Sequence, residues 1–202
     1  LLGDPAKYDL NADVQLPAFR ALIRQIASQY PVGIHPSFQS NTRPEQIERE
    51  VNRLVEITEC EITRSRQHFL MLHFPTTYRR LLALGIRDDY SMGYADQVGY
   101  RAGIAGPFPW YDLLEDKVTA LTVHPFAVMD VTLNYYLKLT PEEALRLVKN
   151  MLDELQQCGG TFSLLWHNSS FAPQMGWKAW PPIFEAILAY AQSCRSIGTK
   201  ST

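Results

Sequence analysis

The sequence predicts an α/β protein built on parallel strands, arranged either as a (β/α) barrel or as a doubly wound sheet. Three observations predict it. Short apolar runs stop abruptly at polar residues or proline, as Val32-Gly33-Ile34 does at His35-Pro36. Amphipathic segments with helix start and stop signals lie between those runs. The two kinds of segment alternate roughly every 30 residues, the spacing of a strand-crossover-strand unit, and right-handed crossovers place the helices outside the strands. Only five or six strands can be counted in 202 residues, against eight in about 250 for a common barrel. The expectation is therefore a smaller or incomplete barrel in a single domain.

Each element has its own signal. Pro17 to about Tyr30 reads as a helix with Phe19, Leu22, Ile23, Ile26 and Ala27 along one stripe, the spacing of an amphipathic face. Val32 to Ile34 reads as a strand ending at His35, because Pro36 cannot donate to a ladder. Thr42-Arg43-Pro44-Glu45 reads as a capping box opening a helix to about Glu59, with Ile47, Val51, Leu54 and Val55 buried. Ile62 to Ser65 is a second strand, and Pro75 to Leu84 a helix closed by Gly85. Asp88 to Met92 is a third strand, feeding a Gly-, Pro- and aromatic-rich loop from Gly93 to Tyr111. Exposing that many aromatics is costly, so the loop reads as ordered and functional. Ala120 to Val123 and Phe126 to Met129 are further apolar runs. Thr140-Pro141-Glu142-Glu143 is a capping box for a helix to Gln157, stopped by Gly159-Gly160. Thr161 to Trp166 is the strongest strand, and Trp177 to Ser193 the last helix.

Composition narrows the function. Hydrophobic residues make up 46% and charged residues 20%, which excludes a disordered chain. Nineteen Lys and Arg against 21 Asp and Glu give a net charge of -2, leaving no basic surplus for nucleic acid. No apolar run approaches the roughly 20 residues of a membrane span. Cys60, Cys158 and Cys194 match neither a disulfide framework nor a zinc pattern, and unpaired thiols lean toward a cytoplasmic setting. The opening Leu1-Leu2-Gly3-Asp4 lacks an initiator Met and reads as a chain cut from a longer protein.

Residues that chemistry uses follow the apolar runs: His35, Arg66 and His68, Asp130, and His167. Parallel strands point their carboxyl ends to one side, where such residues meet in a crevice. His35 suits a metal ligand or general base, or else caps its loop. His167, beside Trp166, suits acid-base work. Asp130 at a strand end needs a partner, and His167 is the natural one. Arg66 could clamp an anion or serve a structural pair. His73 reads as packing and His124 as a turn residue. The aromatics of the 93–111 loop suit either a sugar platform or a small core of their own.

Four stretches together carry a resemblance: Gly33-Ile34-His35-Pro36-Ser37-Phe38, Ser65-Arg66-Gln67-His68-Phe69, Ser91-Met92-Gly93-Tyr94-Ala95-Asp96 with Gly99-Tyr100-Arg101-Ala102-Gly103, and Leu164-Leu165-Trp166-His167-Asn168. In order and over nearly the whole chain they resemble the bacterial polysaccharide deacetylase-like proteins, relatives of the chitin and peptidoglycan deacetylases. The resemblance implies a distorted seven-stranded (β/α) barrel and a divalent metal, usually zinc, with a carbohydrate as substrate. It implies hydrolysis of an N-acetyl or O-acetyl group, with His167 protonating the leaving group, Asp130 orienting it and Arg66 holding a base that lies on a segment upstream of Leu1. It makes His35 a metal ligand, but Gln39 stands where a second histidine ligand is expected, and His68 is the candidate replacement. Ser37, Tyr94, Arg101, Trp166 and Asn168 are the candidate substrate contacts. The alternative is an inactive carbohydrate-binding barrel, which Gln39 favours. Oligomeric state is not legible.

Overall fold

The computed structural model describes residues 3, 4, 6–172 and 176–198, with side chains described as far as residue 194. The chain divides into two compact units, Leu1–Ser91 with Phe108–His124, and Met92–Pro107 with Pro125–Thr202. The described residues form six strands in two separate sheets, paired in parallel as expected except for one antiparallel pair, and a closed seven-stranded barrel is not formed by them.

In the first unit, helix α1 (Pro17–Gln29) begins with its proline at the first turn, where the missing N–H costs nothing. None of its residues is buried, and Leu22 and Ile26 of the expected stripe stay exposed. The strand expected at Val32–Ile34 shrinks to one parallel bridge, Ile34 to Ser65. Pro31 and Pro36 flank it, and neither can donate to a ladder. Gly33 is required there, since a Cβ would sit 2.7 Å from the Arg64 carbonyl oxygen.

Helix α2 (Pro44–Thr58) differs from expectation at its start. Arg43 is the N-cap, with no side-chain cap, because the Thr42 hydroxyl donates backward to the Gln39 carbonyl at 3.2 Å. No capping box forms. Gln46, Ile47, Glu50, Val51, Leu54 and Ile57 are buried, whereas Val55 is exposed. At about 100° per residue, position 55 lies about 40° beyond Val51 and on the side away from Leu54, Glu50 and Ile47, at the outer edge of the buried stripe. Buried Glu50 is useful: it accepts from the Ser37 N–H at 2.7 Å and the Gln46 amide at 3.0 Å, and so anchors the segment that follows His35.

Strands β1 (Arg64–Ser65), β2 (Asp88–Asp89), β3 (Phe108–Asp112) and β4 (Lys117–Val123) form a sheet in the order β1-β2-β4-β3. The β1-β2 and β2-β4 pairs are parallel, and β3 runs antiparallel to β4. Residues 108–111, expected as loop, are thus an edge strand. Trp110 and Asp112 point inward while Pro109 and Tyr111 face out, and an edge position tolerates Pro109. Helix α3 (Thr76–Ala83), closed by Gly85 at φ 78°, packs on β4. Tyr78, Leu81, Ile86, Leu121 and Val123 make the buried centre.

In the second unit, β5 (Val128–Met129) pairs in parallel with β6 (Leu164–Leu165). The strand expected over Thr161–Trp166 keeps only two residues, because the Thr161 N–H is spent on the Ala105 carbonyl at 2.6 Å. Helix α4 (Pro141–Cys158) carries the expected capping box, Thr140 with Glu143. The last helix, α5, spans Pro181–Gly198 instead of starting at Trp177. Trp177 and Trp180 fill the turn before it and join Val128, Leu133, Val148, Leu152 and Ile187 in the core. The 93–107 segment is pinned to this core: the Gly99 N–H donates to the Ala127 carbonyl at 2.8 Å, and the Tyr100 hydroxyl to the Thr161 carbonyl at 2.9 Å. Among the described residues no helix is long and apolar enough to cross a membrane.

Candidate active site

Asp130 follows β5 and is fully buried. Burial alone would force its carboxyl to hold a proton, yet hydrogen bonds from His167 and Ser170 outweigh that and keep it below the usual carboxylate range. Its Oδ1 accepts from the His167 ring Nδ1 at 2.7 Å and from the Val131 N–H at 2.7 Å. Its Oδ2 accepts from the His167 N–H at 2.8 Å and from the Ser170 hydroxyl. An ionised carboxylate can only accept, so Nδ1 carries the hydrogen and Nε2 is the chemically available nitrogen of His167. The His167 side chain is 42% exposed, so one face of a rigidly held imidazole meets solvent. The pairing expected between Asp130 and His167 is present. Ser170, which sequence reasoning missed, sits in the 3-10 turn Asn168–Phe171 that follows β6, and three residues from His167 is the spacing such a turn folds back.

Trp166, next in line, packs on Trp180 and Phe184, and its indole N–H is buried without a hydrogen-bond partner. Asn168 is exposed at the start of the same turn, Tyr94 is half-buried, and Arg101 is exposed in the 93–107 segment.

The first unit gathers the other candidates. Ile34 hydrogen-bonds across to β1, which brings His35 against Arg66: the Ile34 N–H donates to the Arg64 carbonyl at 2.8 Å, and the Arg66 N–H to the Ile34 carbonyl at 3.0 Å. The His35 Nδ1 lies 2.6 Å from the Arg66 carbonyl oxygen, and since a carbonyl only accepts, Nδ1 is the protonated nitrogen. Burial, chiefly, lowers the His35 pKa from 6.5 to about 3, so the ring is neutral at ordinary pH. His68 stands 5.0 Å from it, ring centre to ring centre. The His68 Nδ1 is 3.0 Å from Asp9 Oδ1, which also accepts from the Phe38 N–H at 2.8 Å. Asp9 is fully buried, and its Oδ2 has no hydrogen-bond partner. Sequence reasoning missed Asp9: it lies in a polar stretch with no periodicity, and only the tertiary contact with His68 marks it. Phe69 and Leu70, next to His68, both hold φ above 50°, a costly backbone state for side chains of that size.

Arg66 is largely covered. Burial lowers its pKa, and the neighbouring Asp89 partly restores it. Its Nε donates to the Tyr90 carbonyl at 3.1 Å. Asp89 is fully buried with its pKa raised by burial, while the Ser65 and Ser91 hydroxyls donate to it at 2.6 and 2.8 Å. Ser37 is buried, and its hydroxyl has no partner.

The Nδ1 atoms of His35 and His68 are held by a carbonyl and by a carboxylate respectively, the kind of partner that orients a metal-ligating imidazole. A catalytic zinc takes three protein ligands. Among the described residues no group of three or more His, Cys, Asp or Glu could hold a metal ion, and Gln39 lies exposed in the turn Phe38–Asn41. The described donor set therefore does not complete a zinc site.

No protein-family model matches the chain, and no curated protein matches it in sequence. Solved structures do match. A chain assigned as a polysaccharide deacetylase from Mycobacterium smegmatis superposes with a TM-score of 0.61 at 16% identity, over 87% of this chain and 60% of that one. One assigned likewise from Pseudomonas aeruginosa PAO1 gives 0.52 at 15%, over 88% and 57%. The Puue allantoinase gives 0.55 at 13%, over 89% and 58%. The likeness is one of fold: this chain shares the α/β fold of those structures, and it spans 57 to 60% of their length.

Proposed function

We propose that this chain belongs to a deacetylase-like hydrolase that removes an acetyl group from a glycan, with His167 as the general acid and Asp130 as the residue that orients it. The observation that carries the reading is the buried Asp130 carboxylate, held below its usual range and bonded to both the backbone and ring of His167. Such a carboxylate fixes the tautomer and stabilises the imidazolium form. In the reaction water adds to the acetyl carbonyl, the carbon–nitrogen bond of an amide (or carbon–oxygen bond of an ester) breaks, and acetate leaves. The protonated His167 gives its Nε2 proton to the departing amine or alkoxide. Positioned proton transfer of this kind contributes about 100- to 10,000-fold. In this reading His167 is the acid and Asp130 the carboxylate that orients it.

The test is acetate release from N-acetylated and O-acetylated oligosaccharides by the full-length protein. His167→Ala should slow release by about 100-fold or more without loss of folding. Equal rates in the variant and the parent would remove His167 from the reaction. A second reading, a carbohydrate-binding chain without catalysis, is favoured by Gln39 and by the lack of a three-ligand group among the described residues. It would be supported by saturable oligosaccharide binding with no acetate released.

A further inference from the structure

The turn that carries the proposed acid has a second face. His167 caps the 3-10 turn Asn168–Phe171, and a 3-10 helix closes one turn every three residues, so side chains at i and i+3 eclipse. His167 and Ser170 are one such pair, and both bond Asp130. Asn168 and Phe171 are the next pair, about 120° round the turn. This second pair is turned to solvent: Asn168 is exposed and Phe171 is 45% exposed.

Leaving a phenylalanine at the surface forgoes about 1.5 to 3 kcal/mol of burial, and this ring is held there firmly. Its neighbour Ser170 is fully buried with its hydroxyl on the Asp130 carboxylate. The Ser170 N–H donates to the His167 carbonyl and the Ala172 N–H to the Ser169 carbonyl, both at 3.1 Å, so the backbone on either side of Phe171 is fixed. The ring stands perpendicular to that of Phe184 on α5, at 89° and 5.1 Å between centroids, and Phe184 packs on Trp166 at 5.2 Å. A ladder of three rings thus runs from the residue before His167 out to solvent, and its last ring is partly bare. A rigid aromatic with an amide beside it loses little freedom when a ligand binds.

We infer that Asn168 and Phe171 form a sugar subsite, which binds the pyranose unit next to the one bearing the acetyl group. The C–H groups on the face of a pyranose carry slight positive charge and suit the electron-rich face of a phenyl ring. The hydroxyls at its rim need both donors and acceptors, and a primary amide supplies both. An anionic ligand would want a cation, which neither residue offers. Four residues at about 2.0 Å rise place the Phe171 backbone about 8 Å from that of His167. Proton transfer needs the departing group within about 3 Å of His167 Nε2, so Phe171 meets the adjoining sugar. The choice of ligand rests on the hydrolysis proposed above, while its binding can be read without turnover.

The test compares N-acetylglucosamine with its tetramer, by calorimetric binding to the full-length protein and by acetate release. Phe171→Ala should weaken tetramer binding about three- to tenfold and raise KM by the same factor, with kcat and monomer binding within about twofold of the parent. Phe171→Tyr, which keeps the ring, should restore both, and thermal melts check that each variant folds. Tyr30→Ala, which removes a 65% exposed ring at the end of α1, should change neither. Tetramer binding that falls in Phe171→Ala while the parent releases no acetate keeps the subsite and removes the hydrolysis. Acetate release with tetramer affinity and KM unchanged in Phe171→Ala does the reverse. An equal loss for monomer and tetramer, a fall in kcat alone, failure of Phe171→Tyr to restore binding, or no saturable binding of the tetramer below about 50 mM also overturns the subsite.

Discussion

Replacing Asp130 with Asn should be among the most informative single changes in this chain. The wild-type carboxylate is fully buried and accepts four hydrogen bonds, from Val131, Ser170 and twice from His167. An asparagine of nearly the same shape keeps one acceptor oxygen and turns the other corner into an N–H donor. If the oxygen keeps the His167 N–H and the Ser170 hydroxyl, the new NH2 faces the Val131 N–H, and two donors oppose each other in a buried space. The NH2 also faces His167 Nδ1, which must now accept, so the ring hydrogen moves to Nε2. Hydrogen bonds to a charged group are worth about 1.5 to 3 kcal/mol each, and a buried donor left unmet costs about 1 to 3 kcal/mol. With part of the network kept, the net loss should be about 2 to 4 kcal/mol, and the melting temperature should fall on the order of 5 to 10 °C for a chain of this length. Urea unfolding reads the stability, and nitrogen NMR of the His167 ring reads the tautomer. A stability change below about 0.5 kcal/mol together with an unaltered tautomer would refute the account of how His167 is held.

Acid should unfold the protein in two stages. The folded His35 takes up its proton only near pH 3 against 6.5 when unfolded, so the unfolded chain binds more protons between those values and stability falls as pH drops through that window, by a few kcal/mol at its end. Asp130, whose folded pKa lies below its unfolded one, adds a further loss below about pH 4; His35→Gln should remove the first stage and leave the second in urea titrations across pH. A Cβ at Gly93 would land in the ring of Phe126, itself buried, so Gly93→Ala should cost about 1 to 3 kcal/mol, and a melt within 1 °C of the parent would contradict that packing. Thr140→Ala removes the capping box of α4 and should cost about 1 kcal/mol, readable by urea unfolding.

The helices were legible because their determinants are local. Pro17, Pro44 and Pro141 open three of them, Thr140 with Glu143 caps one, and Gly85 and Gly159 sit where α3 and α4 stop. Thr42 shows the limit of local reading, since its hydroxyl had a choice between the helix ahead and the Gln39 carbonyl behind. Strand lengths were overestimated for a related reason. A run such as Thr161–Trp166 has the composition of a strand, but a ladder exists only where a neighbour offers its edge, and Ala105 claimed the Thr161 N–H first. The edge strand at Phe108–Asp112 was hidden by its proline and aromatic content, and only its antiparallel pairing with Lys117–Val123 revealed it.

The sequence by itself determined that the chain is α/β with parallel strands, that polar residues follow the apolar runs, and that Asp130 and His167 suit one another. Only the tertiary structure decided which atoms meet. It set Asp9 against His68 across 59 positions and Ser170 against Asp130 across 40. Periodicity and capping act over one or two helical turns and can be read along the chain, whereas a buried charge is satisfied by whatever partner folding delivers, and distance along the sequence says nothing of that.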